Sequence, residues 1–153
     1  MANKVILINA EWPSQPQFVH EARAAVRSIT AKLAPESADL IELALGEACA
    51  NAIEHGSPNG ANDKFIVRCG LQKDHRHLFI EVEDHGAKAN NIPSPPGTLP
   101  DLEAEGGRGL FLMKHIMSNV SVTHTGHGLL VHMVAPCECI PDEPVGNLCS
   151  TVL

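Results

Sequence analysis

Three short stretches of this chain combine reactive residue types at spacings that put them to use. The first is Glu47-Ala48-Cys49-Ala50-Asn51-Ala52-Ile53-Glu54-His55. At about 100° per residue, Glu47, Asn51 and His55 fall on one stripe of a helix, each a turn from the next. A carboxylate and an amide placed so, partly buried, can hold a hydrated Mg²⁺ and activate a hydroxyl or a water. The competing reading is a helix edge emerging into solvent, with both groups merely hydrated. The second stretch is Glu83-Asp84-His85-Gly86, where an apolar alternation stops. A carboxylate only accepts hydrogen bonds, so Asp84 can take the exocyclic amine of an adenine while Gly86 lets the ligand approach. The same residues also describe an ordinary turn closing a strand. The third stretch, Glu105-Gly106-Gly107-Arg108-Gly109-Leu110, leads straight into an apolar helix. Unpaired N–H groups and a positive dipole end make an anion site there, and Arg108 adds a fixed charge near any phosphate. A flexible hinge is the alternative. Neither a P-loop nor a dinucleotide fingerprint is present.

The elements that must carry these stretches are legible. A strand is expected across Met1–Ile8, then a helix announced by Pro13-Ser14-Gln15-Pro16, with Phe18, Ala22, Val26, Ile29 and Leu33 at helical spacing. Pro35-Glu36-Ser37 breaks it and opens a second helix, with Ser37 the expected cap and Asp39 in the first turn. Ile41, Leu45, Ala48, Cys49 and Ala52 form its apolar stripe. That helix ends near His55, at Gly56-Ser57-Pro58-Asn59-Gly60. Alternation predicts strands at Lys64–Leu71 and His77–Glu83. The segment from Gly86 to Gly106 holds Pro93, Pro95, Pro96 and Pro100 and reads as a functional lid or as disorder. A short helix over Leu110–Met117 follows, then strands at Val120–Thr125 and Leu129–Val134 around Gly126-His127-Gly128. Strands joined by short turns predict an α+β two-layer sandwich, with a mainly antiparallel mixed sheet and helices on one face.

Composition narrows the function classes. A chain of 153 residues suits one domain, here 1–135 with a flexible tail at 136–153. Hydrophobic residues make up 44%, so a core can form, but aromatics at 3% leave it aliphatic. A net charge of -7 argues against a nucleic-acid face. No apolar run reaches the ~20 residues of a membrane helix, and a cytoplasmic protein is expected. Five scattered cysteines do not suggest a disulfide framework, and Cys137-x-Cys139 falls short of a closed zinc site. The histidines His75, His77, His124 and His127 read as surface or packing residues rather than metal ligands.

The order and spacing of the three stretches resemble the N box, first glycine box and second glycine box of the gyrase, Hsp90, histidine-kinase and MutL superfamily. Within it, Glu47-x-x-x-Asn51-Ala52-x-x-His55 is similar to the anti-sigma-factor serine/threonine kinase branch. The resemblance spans roughly Val5 to Val134 and implies a Bergerat-type ATPase fold with an ATP lid. It implies that Asn51 is the protein ligand to Mg²⁺, that Asp84 binds the adenine amine with Gly86 beside it, and that Gly106, Gly107 and Gly109 wrap the phosphates with Arg108. It implies that Glu47 is the general base toward a serine or threonine of a partner. The family's partners are a sigma factor and a STAS-type anti-sigma-antagonist domain, and homodimers are usual. The chain departs from the family pattern in three places: Lys88 stands where a second glycine is common, Leu129 follows Gly128 where threonine is common, and Ser118-Asn119 replaces an acidic pair. A nucleotide-gated binding module without phosphotransfer is therefore the alternative to a kinase, and a nucleotide-independent interaction protein the third reading.

Overall fold

The computed structural model describes residues 4–85, 109 and 111–138. Eight elements follow one another: β1 (Val5–Pro13), α1 (Val19–Leu33), α2 (Ala38–Glu54), β2 (Lys64–Leu71), β3 (His77–Asp84), α3 over residues 111–116, β4 (Asn119–His124) and β5 (Leu129–Pro136). The five strands form one sheet in the order β1-β2-β3-β5-β4, and every pairing is antiparallel. The expected α+β sandwich is present, with no parallel pairing among the described residues.

The helices cover one face. Phe65, Val67, Cys69 and Leu71 of β2 and Leu78, Ile80 and Val82 of β3 alternate into the core. They meet Ala22, Val26, Ile29 and Leu33 of α1 and Ile41, Leu45, Ala48 and Ala52 of α2. The alanines let α2 lie close to the sheet, so the carboxylate and amide on its flank sit near the strand ends. Met113 of α3 and Met117 just after it close the same core.

Local boundaries differ from the sequence reading where pairing overrides composition. β1 starts at Val5 and runs past Ile8 to Pro13, because its register with β2 continues through Trp12↔Phe65 to Pro13↔Lys64. A shift between Ile6 and Ile8 absorbs one residue of this edge strand. Ser37 occupies the N-cap position of α2, but its side chain makes no capping hydrogen bond. At the far end the chain stays in the fold beyond residue 135. Cys137 is buried and its N–H donates to the Arg76 carbonyl, while the Glu138 N–H donates to Leu33 and its carboxylate accepts from the Glu36 N–H. Cys139 and the rest of the tail, like Gly86–Arg108, lie outside the described residues. Cys49 and Cys69 are free thiols that burial pushes up to about 12, which makes them packing residues rather than nucleophiles.

The opposite face of the sheet carries a charge network across β2, β3 and β5, joined by Lys4 from just before β1. Glu81 lies 2.9 Å from His132 Nδ1, accepts from Lys4 Nζ at 3.1 Å and faces Arg68, which also donates to Glu83 at 2.8 Å. The His132 contact, then Lys4, hold the Glu81 carboxyl down at about 2 against its ordinary 4.5. A carboxylate with a depressed pKa stabilises the fold above its unfolded value and loses that contribution as pH falls through its folded one. Stability should therefore decline between about pH 4.5 and about pH 2. Glu81→Gln should lower stability at neutral pH and flatten that acid limb in urea titrations. An unchanged slope would remove Glu81 from the account.

Candidate nucleotide site

The site forms where the ends of α2, β3 and β5 converge, and Asp84 is its fixed point. The Asp84 side chain is buried at the last position of β3, and its Oδ1 accepts the Leu129 N–H at 3.2 Å. Two glycines make room for it. A Cβ on Gly56 would collide with Asp84 Oδ2, and a Cβ on Gly128 would collide with Oδ1. The Gly56 segment is anchored in turn: Ser57 Oγ donates to the Ala52 carbonyl at 2.8 Å and lies 2.7 Å from Ser14 Oγ, both serines buried. Thr125 shapes the other side, its Oγ1 accepting from the Gly128 N–H at 2.9 Å and the His127 N–H at 3.0 Å.

Gly56 has a different purpose from the one its place in the chain suggests. It reads as a helix stop, yet the left-handed glycine after α2 is Gly60, with φ 59°. What Gly56 supplies is space beside the carboxylate. The sequence alone shows no contact between Gly56 and Asp84, so this role becomes visible only when the elements are assembled.

Asp84 opens onto a narrow cleft walled by Ala48, Ala52, Val82, Leu129 and Val131, with Asn51 at its rim. The cleft holds about 20 Å³, so a heteroaromatic base would have to widen it, but its aliphatic walls and single acceptor match the chemistry of a ring that donates an amine. Leu129, which stands where threonine was expected, contributes a wall and a backbone N–H to the carboxylate; a side-chain hydroxyl is absent there.

A second pole lies along α2. Glu47 and Asn51 are both half-buried on one flank, and Gly109, at the start of α3, is packed against them. A Cβ on Gly109 would stand 2.9 Å from Glu47 Oε1 and 3.6 Å from Asn51 Nδ2. The structure thus brings Glu47, Asn51 and Gly109 together, with Asp84 in the same cleft as Asn51. Gly86, Gly106, Gly107 and Arg108 fall outside the described residues. One residue went unremarked in the sequence: the Arg23 guanidinium from α1 lies against Gly46, directly before Glu47.

The profile of the histidine kinase-like ATPase domain family matches residues 12–135. The chain belongs to that family. It is 30% identical over 135 residues to the serine-protein kinase RsbW of Bacillus subtilis, covering 82% of this chain and 84% of that one. It is 34% identical over 128 residues to the anti-sigma F factor of Clostridium acetobutylicum, covering 79% and 87%. Among solved structures it resembles the RsbU and RsbW domains of Rv1364c from Mycobacterium tuberculosis, with TM-score 0.61 and 17% identity, which supports the fold. The match covers 85% of this chain and 31% of that longer one. The expected branch is thereby shown: this is an ATP-dependent serine-protein kinase of the anti-sigma type.

Gly128→Ala and Gly56→Ala should each displace the Asp84 carboxylate, because the added methyl has no space. Each should cost about 1–3 kcal/mol of stability by overpacking and abolish the rise in melting temperature on adding ATP. A variant that keeps wild-type nucleotide stabilisation would show that Asp84 need not hold this position.

Proposed function

We propose that this kinase transfers the γ-phosphoryl group of Mg²⁺-ATP to a serine or threonine of a STAS-type anti-sigma-antagonist domain, and that it also sequesters a sigma factor. The observation that carries the reading is that Glu47 and Gly109 meet beside Asn51, which in turn lines a cleft together with Asp84. Asp84 accepts the adenine amine, and the aliphatic walls exclude water from the base. Asn51 would offer its amide oxygen to Mg²⁺, which would neutralise charge on the phosphates. The backbone of Gly106, Gly107 and Gly109 donates to phosphate oxygens, with Arg108 beside them and Gly86 leaving room near the base. Glu47 takes the proton of the acceptor hydroxyl as its oxygen bonds to phosphorus and ADP departs.

The chain works as a homodimer in the cytoplasm in this reading. Among the described residues no helix is long and apolar enough to cross a membrane. The small antagonist releases the sigma factor while unphosphorylated, so phosphotransfer resets the sequestered state.

Incubation with ATP, Mg²⁺ and candidate antagonist domains, read by intact mass, should add one phosphate to a partner. Glu47→Gln should keep nucleotide binding and lower phosphotransfer about 10²–10⁴-fold, because an amide cannot accept the proton. Asn51→Ala should instead weaken Mg²⁺-nucleotide binding and transfer together. At 100 times its dissociation constant, ATP should stabilise the wild type by about 2.7 kcal/mol. A wild-type chain that binds nucleotide and partner yet transfers nothing would leave a nucleotide-gated binding module as the function.

A further inference from the structure

A second cavity, open to solvent and of about 660 Å³, lies on the sheet face away from the helices. It shares no lining residue with the Asp84 cleft. His77, the first residue of β3, lines it, whereas Asp84 is the last residue of that strand, so the two cavities stand at opposite ends of β3. The turn between β2 and β3 forms one wall, and it is held in shape before any ligand arrives. Asp74 Oδ1 accepts the Arg76 N–H at 2.8 Å and the His77 N–H at 3.2 Å, and its Oδ2 lies 2.8 Å from His77 Nδ1. The Cys137 N–H ties the same turn to the end of β5 through the Arg76 carbonyl.

The carboxylates around this cavity are already used, and its donors are not. Both oxygens of Asp74 are engaged within the turn. Glu81, which contacts the lining side chains of Lys4 and His132, spends its other oxygen on Arg68. By contrast, Lys73 Nζ and the side-chain amides of Gln72 and Asn119 make no hydrogen bond or ion pair among the described residues. Lys4 gives one N–H to Glu81 and lies 4.6 Å from the centre of the Phe79 ring, with donor capacity left over. The lining thus sets two ammonium groups against one carboxylate, in a chain whose net charge is -7. Unspent donors with a local excess of positive charge call for an anionic acceptor.

We propose that this cavity binds a small phosphate monoester. Both lining cations are lysines, compact point charges supplied from two separate segments, and these suit a tetrahedral dianion. A planar carboxylate is better matched by the fork of an arginine, and no arginine lines the cavity. The volume lies in the range of organic ligand sites, well above what a bare phosphate fills. Val134 offers an apolar wall to the carbon part of the ester, while Lys4, Lys73 and Asn119 take the phosphate oxygens. Donors held in place beforehand lose little freedom when the ligand binds. The site stands apart from the nucleotide cleft, so it does not depend on the kinase reading.

The test titrates the isotopically labelled full chain with phenyl phosphate, inorganic phosphate and benzoate, and follows backbone amide shifts by NMR. Phenyl phosphate should move the amides of Lys73, His77, Asn119 and His132. It should bind about tenfold or more tighter than inorganic phosphate, through the buried ring. Lys73→Met and Asn119→Asp lie on separate segments and remove no side-chain partner, so both variants should fold. Each should weaken phenyl phosphate about tenfold or more, the loss of one hydrogen bond to a charged group. Lys32→Met, at the end of α1, is the control for a general effect of charge and should leave the affinity unchanged. Shifts confined to the Asp84 cleft, no saturation in the millimolar range, or wild-type affinity in either pocket variant would overturn the site. Inorganic phosphate binding as tightly as phenyl phosphate would overturn the ester, and benzoate binding as tightly would overturn the phosphate.

Discussion

The proposed nucleotide site depends on keeping one buried carboxylate in place. Burying Asp84 is costly unless its oxygens find partners, and the Leu129 N–H supplies one from the first residue of β5. The glycines on either side leave no slack: Gly56 comes from the loop after α2 and Gly128 from the turn before β5. Three segments far apart in the chain must therefore arrive at one point. The Ser14, Ser57 and Ala52 contacts fix one of them and Thr125 fixes another. Position is defined here by crowding as much as by hydrogen bonds.

Helix α2 links this constraint to the rest of the fold. Its inner face supplies Ile41, Leu45, Ala48 and Ala52 to the core, and its flank carries Glu47 and Asn51 in succession. The same packing that stabilises the sandwich thus sets the spacing between the proposed substrate side and the nucleotide side. Gly109 reports the contact from the other side, since a Cβ at that position would press on the Glu47 carboxylate and make it shift.

Much of this was legible from residue order. The apolar alternation of Phe65, Val67, Cys69 and Leu71 located β2 to the residue, because a half-covered strand must alternate. The spacing of Glu47, Asn51 and Asp84 marked the stretches that the fold brings into one cleft. What could not be read were consequences of assembly. The length of β1 is set by its register with β2, and the purpose of Gly56 by a carboxylate twenty-eight positions away. Likewise Cys137 and Glu138 looked like part of a loose tail, yet their N–H groups extend the contacts of β5 to Arg76 and Leu33 respectively. Local patterns report what a segment can do alone, and these features exist only between segments.

The strand order carries a consequence for how the chain can be made. β5, the last of the described strands in chain order, inserts between β3 and β4, with Glu83 paired to Leu130 on one side and Thr123 paired to Leu130 on the other. Until it arrives, β3 presents an unpaired edge and β4 has no neighbour in the sheet. Asp84 also waits for Leu129. During synthesis the nascent chain can dock α1 and α2 on the β1–β2–β3 meander, but the nucleotide end cannot close. Closure of the Asp84 end is thus delayed until β5 has been made, and the exposed β3 edge is the surface a chaperone would need to guard in the interval.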